Sequence, residues 1–379
     1  MQISILGGAT TKFGELWNVS PRALAREAIS AALTDAGKSS SDIDAIFVGN
    51  MLAGILGYQA NVGSFFGEEL GRFVPAFHIE GACASGGLAL HNAINSITAG
   101  KYKTVLVLGV EKMTDVSQDD VMAGLMAAGS DEERQAGATF PGIYALMAQA
   151  YFQRYNTTEE ELAGVAVKNH YHGSLNKKAQ FKTPVTIADV MKSTRIADPL
   201  KLLDCSPVSD GAAAIVITGD TRVKDKVQIT ASEIGTDTLS LLDRKTFISL
   251  GAVKKASSTA YKKAGITPQD IHVAEIHDCF SIAEVMAVED LGFSKEGEGA
   301  KDIYKGRYTL GSKGLITNPS GGLKACGHPV GATGIKQIVE ITEQLKGTAD
   351  TRQVKGAKIG LTHNVGGSGT VAAIHILQI

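Results

Sequence analysis

Four cysteines in 379 residues, none of them in a C-x-x-C pair, leave no structural zinc site and no disulfide scaffold. They read as thiols of a reducing compartment. No apolar run reaches the roughly 18 residues a membrane-spanning helix needs. A formal charge of −2 gives no whole-molecule attraction to nucleic acid or to an anionic membrane, so any charge-based recognition has to be local. The chain opens on a strand pattern without a basic leader, and Leu377-Gln378-Ile379 is no peroxisomal address. The expectation is a cytoplasmic protein. What is present, 44% apolar and 20% charged residues in a chain longer than one ordinary domain, predicts a globular protein of two or three units with a large core.

The stretch from Phe77 to Leu88, F-H-I-E-G-A-C-A-S-G-G-L, reads as a strand end, a bend of small residues and a helix start, with Cys83 at the bend. The helix carries Leu90, Ile94 and Ile97 on one face and stops near Ala99, before Gly100. A thiol at a helix start faces unpaired N–H groups and the positive end of the helix dipole, which favour thiolate. Taken alone, a free cysteine reads first as inert core filler. The choice depends on partners.

Residues 2 to 8 read as a strand, and Ser20-Pro21 opens a helix ending at Gly37. A strand over Ser41 to Gly49, a helix over about 58 to 70, the strand leading to Cys83 and the apolar run Thr104 to Val110 follow. Alternating strands and helices indicate an α/β fold with a mostly parallel sheet. An internal echo is the most informative feature. Ala32 to Ile43 (A-L-T-D-A-G-K-S-S-S-D-I) is matched by Ala260 to Ile271 (A-Y-K-K-A-G-I-T-P-Q-D-I) at a constant offset of 228. The bend at Cys83 is likewise echoed by Gly327-His328-Pro329, and two echoes in one order predict duplicated halves. A pseudo-twofold axis between them would bring Cys83 and His328 face to face.

Residues 112 to 205 break the repeat and read as an inserted, mainly helical domain, with a capping box at Thr158 opening a helix through about Lys168. Its start is acidic; from 168 to 201 it carries Lys168, Lys177, Lys178, Lys182, Lys192, Arg195 and Lys201. That run is either a solvated face or a local site for phosphate groups on a carrier such as coenzyme A. His170 and His172 alternate like a metal pair, but two ligands without a third make no site. The second half holds a strand over 227–235, a helix over 248–264, the echoed strand ending in His277-Asp278-Cys279-Phe280, and an apolar helix over 281–291.

Reactive side chains thus gather at three strand-to-helix junctions, the usual ligand position of an α/β fold. A cysteine nucleophile suits thioester exchange, because one thioester replaces another. A nearby histidine can activate the thiol and then stabilise an oxyanion, and a second cysteine can act as acid and base.

The motifs A-C-A-S-G-G around Cys83, H-D-C-F at 277–280, N-P-S-G-G-L at 318–323, G-H-P-V-G-A-T-G at 327–334 and H-N-V-G-G-S-G at 363–369 resemble the thiolase superfamily, in order and across nearly the whole chain. The nearest pattern is the archaeal acetoacetyl-CoA and sterol-carrier-protein-type group. The second catalytic cysteine of other thiolases, in a C-terminal C-x-G, is absent here. Asn364 stands in its place, and H-D-C-F replaces N-E-A-F.

The resemblance implies a duplicated fold with two mixed sheets in five αβαβα layers. Residues 1–111 with 206–220 would form one half, 221–379 the other, and 112–205 an inserted loop domain. It implies Cys83 as acylated nucleophile, Cys279 as acid and base, His328 as activator of Cys83, and His277 with His328 at an oxyanion hole. The Gly366 N–H would join that of Cys83 in a second hole. Phe280, Asn318, Lys177 and Lys178 are candidate substrate contacts; Cys205 and Cys326 are read as structural. No metal or cofactor is implied beyond coenzyme A thioesters as substrates. The implied activity is acetyl-CoA C-acetyltransferase in a homodimer or homotetramer, complexed with hydroxymethylglutaryl-CoA synthase through a small OB-fold protein. A longer-chain 3-ketoacyl-CoA thiolase, a carrier-protein-dependent condensing enzyme and a non-catalytic thioester-binding scaffold are the alternatives.

Overall fold

The computed structural model describes residues 3–223 and 226–379. Gln2, the expected first residue of the opening strand, lies outside them. Ten strands form the main sheet: β1 (Ile3–Thr10), β2 (Ala45–Gly49), β3 (Ala76–Ile79), β4 (Thr104–Glu111), β5 (Gly211–Thr218), β6 (Gln228–Thr236), β7 (Val273–Ile276), β8 (Ile316–Thr317), β9 (Ile359–Gly366) and β10 (Val371–Gln378). The helices that position the site are α1 (Pro21–Ala36), α2 (Ser85–Thr98), α3 (Phe140–Tyr155), α4 (Glu159–Ser174), α5 (Gly251–Ala264), α6 (Ser281–Asp290), α7 (Gly322–Cys326) and α8 (Val330–Lys346).

The strand order is β8-β7-β9-β10-β6-β1-β5-β4-β2-β3, which is two copies of one five-strand pattern. In each copy two pairings are parallel (β2 with β3 and β4; β7 with β8 and β9) and two are antiparallel (β5 with β1 and β4; β10 with β6 and β9). The two mixed five-stranded halves meet edge to edge through the short pairing of Ile3 with Ile229 and Ser4 with Gln228. The sequence echo falls where this duplication puts it. α1 and α5 both end on a left-handed glycine, Gly37 and Gly265. Each is followed by a one-turn helix whose aspartate, Asp42 or Asp270, accepts from the N–H of Ser39 or Thr267 at 2.8 Å.

Strand alternation builds the layers. In β4 and β5, Val105, Val107, Ile215 and Ile217 face inward to the α2 and α8 layer. Their neighbours Leu106, Leu108, Ala214 and Val216 face α1 on the outside. On the other half, Ala372, Ile374 and Ile376 of β10 pack against Val253, Ala256 and Ala260 of α5. The order is therefore helix, sheet, helix, sheet, helix. Between β4 and β5 the chain holds α3, α4, three shorter α-helices, the small hairpin of 195–197 with 200–201 and a one-turn helix, Leu202–Asp204. Thr158 and Glu161 cap α4 reciprocally at 3.2 and 3.1 Å, and the helix runs past the expected Lys168 to Ser174.

One expected element differs. The helix over 58–70 is two short helices, Ala53–Leu56 and Val62–Gly67, followed by a one-turn helix, because the chain leaves helical geometry at Gly57 and Tyr58, the latter at φ 52°. Among the described residues, no helix is long and apolar enough to cross a membrane.

Candidate active site

β3 leads into the Cys83 turn. Ala82 adopts φ 53°, a left-handed conformation that costs about 1–2 kcal/mol for a residue with a Cβ. Local bonds hold it: Glu80 accepts the Ala82 N–H at 2.5 Å, and the Ser85 hydroxyl donates to the Ala82 carbonyl at 2.6 Å. α2 then starts at Ser85, and α8 starts in the equivalent place after His328. The two helix starts cross on glycines. A Cβ on Gly334 would lie 2.3 Å from the Gly87 nitrogen, and one on Gly86 would lie 2.8 Å from the Gly331 carbonyl oxygen. Only glycine allows this approach.

The result is a cluster. The Cys83 sulfur and one ring nitrogen each from His277 and His328 lie within 4.8 Å of one another, and the two rings meet edge to face at 5.1 Å. Sulfur and imidazole at this spacing are the donor types of a soft divalent metal. Cys83, Cys279, Phe280 and His328 share one cleft. Phe280 stacks on Tyr144 at 4.6 Å.

Burial governs the protonation states. Burial, and then the Glu111 carboxylate, push the Cys83 thiol up to about 12, against the lowering pull of the Gly367 and Cys83 N–H groups. The N–H pull expected at a helix start is present, but burial outweighs it and holds Cys83 toward the thiol. Burial holds His328 down at about 3, so its ring is neutral. The His328 Nδ1 lies 2.7 Å from the Thr333 hydroxyl oxygen, whose own proton goes to the Pro329 carbonyl at 3.0 Å. Nδ1 is therefore the donor. Nε2, buried with no protein partner, carries the free lone pair of a base. Cys279 is raised by burial and then by Cys83, with the Tyr144 hydroxyl pulling the other way.

Glu111 ties the loop after β2 to the start of α8. It accepts from the Asn50 amide at 2.7 Å, from the Met51 and Leu52 N–H groups at 3.0 and 3.1 Å, and from the Gly331 N–H at 3.0 Å. Burial lifts its carboxyl to about 7. Asp278 does the same on the other side, accepting from the Leu323 N–H at 2.6 Å and the Lys324 N–H at 3.3 Å, so H-D-C-F is fastened to the helix preceding His328.

Several sequence expectations are corrected by placement. Lys177 is 87% exposed and pairs with Asp350 at 2.9 Å, and Lys178 donates to the Thr10 carbonyl at 2.7 Å. Both border a different cavity, with Thr10, Cys326 and Arg352, and not the cleft of Cys83. The basic run is largely paired within the chain: Lys168 is buried on Glu284 at 2.9 Å, and Arg195 and Lys201 meet Glu159. It forms no single free phosphate face. Asn318 is fully buried, taking the Ile276 N–H at 2.7 Å and donating to Glu284 at 3.1 Å, so it holds β7 and α6 and does not reach substrate. The Gly367 N–H faces the Cys83 sulfur, and its neighbour Gly366 closes β9 opposite Val371.

His172 is occupied on both nitrogens, by the Asn318 carbonyl and the Leu310 N–H, each at 2.9 Å, while His170 stacks on Phe181. Cys205 lies in the cleft wall. The sequence reading missed Tyr144 and Met113 of this cleft, because each comes from a segment whose spacing carries no motif, and within the motif at 363–369 it singled out Gly366 and passed over the neighbouring Gly367.

Comparison with known proteins agrees with this architecture. Residues 3–221 match the family described as Thiolase, N-terminal domain, and residues 234–379 match Thiolase C-terminal domain-like. The chain is 46% identical over 381 residues to an acetyl-CoA acetyltransferase of Methanothermobacter thermautotrophicus, covering 99% of each. It is 34% identical over 403 residues to human sterol carrier protein 2, covering 98% of this chain and 71% of that protein. In fold it resembles human mitochondrial 3-ketoacyl-CoA thiolase, with a TM-score of 0.77 at 19% identity over 100% of this chain and 98% of that one. With both halves matched and the two catalytic-type turns facing each other across the duplication, the chain belongs to the thiolase family.

Proposed function

We propose that this protein is an acetyl-CoA C-acetyltransferase that condenses two acetyl-CoA molecules, or cleaves acetoacetyl-CoA, through an acetyl-cysteine. The observation that carries this reading is the meeting of the Cys83 sulfur with the His277 and His328 rings in the cleft that also holds Cys279.

His328 Nε2 takes the Cys83 proton as sulfur attacks the acetyl thioester carbonyl. The N–H groups of Cys83 and Gly367 face the forming oxyanion. As the intermediate collapses, Cys279 gives its proton to the departing coenzyme A thiolate. The Cys279 thiolate, a strong base because burial raises its thiol, then removes a Cα proton from the second acetyl-CoA. The enolate oxygen is held by the now protonated His328 and by His277. Its carbon attacks acetyl-Cys83, and the expelled sulfur recovers its proton from His328. Both thiols and the neutral imidazole are restored.

Cys83→Ala abolishes both directions in this scheme. Cys279→Ala still releases one coenzyme A per site but does not condense. Condensation by Cys279→Ala at the wild-type rate would overturn the assignment. Thiolysis rates across 3-ketoacyl-CoA chain lengths are expected to be highest for acetoacetyl-CoA.

The four thiols are all free, which supports a cytoplasmic site of action. The edge strand β3, with Phe77 40%, nearby Phe73 93% and Tyr58 91% exposed, supports a homo-oligomer. We extend the proposal to the three-part division 1–111 with 206–220, 112–205 and 221–379. It also includes a place in the mevalonate pathway, with hydroxymethylglutaryl-CoA synthase and a small OB-fold protein as partners that remove the product.

A further inference from the structure

Asn364, fully buried on β9, stands where many thiolases carry a second cysteine, and its amide lies at the junction of both catalytic turns. Its Oδ1 accepts the Gly87 N–H at 3.1 Å, and its Nδ2 donates to the Cys83 carbonyl at 2.9 Å. Both partners are backbone groups of fixed polarity, so the amide cannot be turned over. The opposite orientation would set NH₂ against N–H and oxygen against oxygen. The amide oxygen fills the space a side chain at 334 would need, since a Cβ on Gly334 would lie 2.4 Å from Oδ1.

The second hydrogen of Nδ2 is therefore the one that meets His277 Nδ1, at 3.4 Å. A ring nitrogen facing a donor must be the acceptor. His277 is buried and held well below the usual histidine range, first by burial and then by His328 and His363, so it is neutral and carries one N–H. That proton is then on Nε2. His328 has the opposite arrangement, with its proton on Nδ1 toward Thr333. The two rings that touch each other are thus chemically different: one offers a lone pair, the other an N–H.

We propose that Asn364 is a positioning residue that fixes His277 as the Nε2–H tautomer, so that this ring serves the site as a hydrogen-bond donor to a developing oxyanion. The same set of sulfur and two imidazoles would suit a soft metal only with a bare nitrogen on each ring. The proposal rests on the thiolase reading for what the donor stabilises, but the tautomer itself does not depend on the reaction.

The test has two arms. In protein carrying ¹⁵N-histidine, the two nitrogens of His277 are expected to show a protonated Nε2 and an unprotonated Nδ1, with His328 reversed. A protonated Nδ1 on His277 overturns the proposal. The second arm is Asn364→Asp, which can still accept from Gly87 but presents only acceptors to His277, so the ring must move its proton to Nδ1. The condensation kcat is expected to fall by about 100-fold or more at little change in KM, while release of the first coenzyme A persists. Asn364→Asp with the wild-type condensation rate overturns the proposal. Loss of the first half-reaction in wild-type protein would instead overturn the thiolase reading. If Asn364→Asp does not fold, the nitrogen spectrum of the wild type decides alone.

Discussion

Cys83 is a half-buried thiol beside a neutral imidazole, and its reactivity has a defined sign with pH. Its folded pKa of about 12 lies above the ordinary thiol value, so the thiolate fraction is small at neutrality and rises with pH. Alkylation of Cys83 by iodoacetamide should accelerate by about tenfold per pH unit from neutrality up to pH 10. A plateau below pH 8 would signal a resting thiolate and imidazolium pair. Tyr144 supplies a second prediction. Its hydroxyl donates to the Gly367 carbonyl at 3.2 Å and meets the Cys279 thiol. Tyr144→Phe removes a group that lowers the Cys279 pKa, so the acidic limb of the condensation pH profile, set by the Cys279 base, should move up and kcat fall about tenfold, with acetylation of Cys83 retained. Cys83, His277, Cys279 and His328 were legible in the sequence because each sits in a short motif at a strand-to-helix junction. Tyr144 was not, since one tyrosine in a helix shows no sign of the cleft it lines. Asn318 misled for the opposite reason: its motif is recognisable, but its polar atoms are turned into the core.

The repeated unit explains more than any single helix. The echo at offset 228 was readable because Ala-Gly helix ends and aspartate-capped turns are local chemistry. The broken helix over 58–70 was not, because its apolar spacing ignores the left-handed step at Tyr58. What brings the two catalytic turns together is glycine. A Cβ on Gly109 would lie 2.5 Å from the Gly331 carbonyl oxygen and 2.8 Å from the Ala332 Cα, with backbone that cannot yield. Gly109→Ala should therefore push the start of α8, and His328 with it, away from β4. The expected outcome is a loss of about 1–3 kcal/mol in urea unfolding and a larger proportional loss of kcat than a surface variant of equal stability. An unchanged kcat would remove the close approach from the account.

Across the whole molecule, the segment between β4 and β5 is joined to the reacting turns by a buried charge network. Lys168 of α4 pairs with Glu284 of α6 at 2.9 Å; its neighbour Asn169 donates to Asp278 at 2.6 Å and to Glu284 at 2.8 Å. Asp278 in turn holds the Leu323 and Lys324 N–H groups ahead of His328. Asn169 is separated from Asp278 and Glu284 by more than 100 residues in sequence, so composition showed the lysines as a basic run without showing that the first of them is internal. Lys168→Met leaves Glu284 buried and uncompensated and should cost about 3–5 kcal/mol of stability, measurable by denaturant titration.

The central claim is that an acetyl group passes through Cys83, with Cys279 acting only on protons. It is tested most directly by peptide mass spectrometry of Cys279→Ala protein quenched after mixing with acetyl-CoA. The account predicts one acetyl group, on the peptide containing Cys83, and none on the peptides of Cys205 or Cys326. An unmodified Cys83, or acetyl on another cysteine, would contradict it.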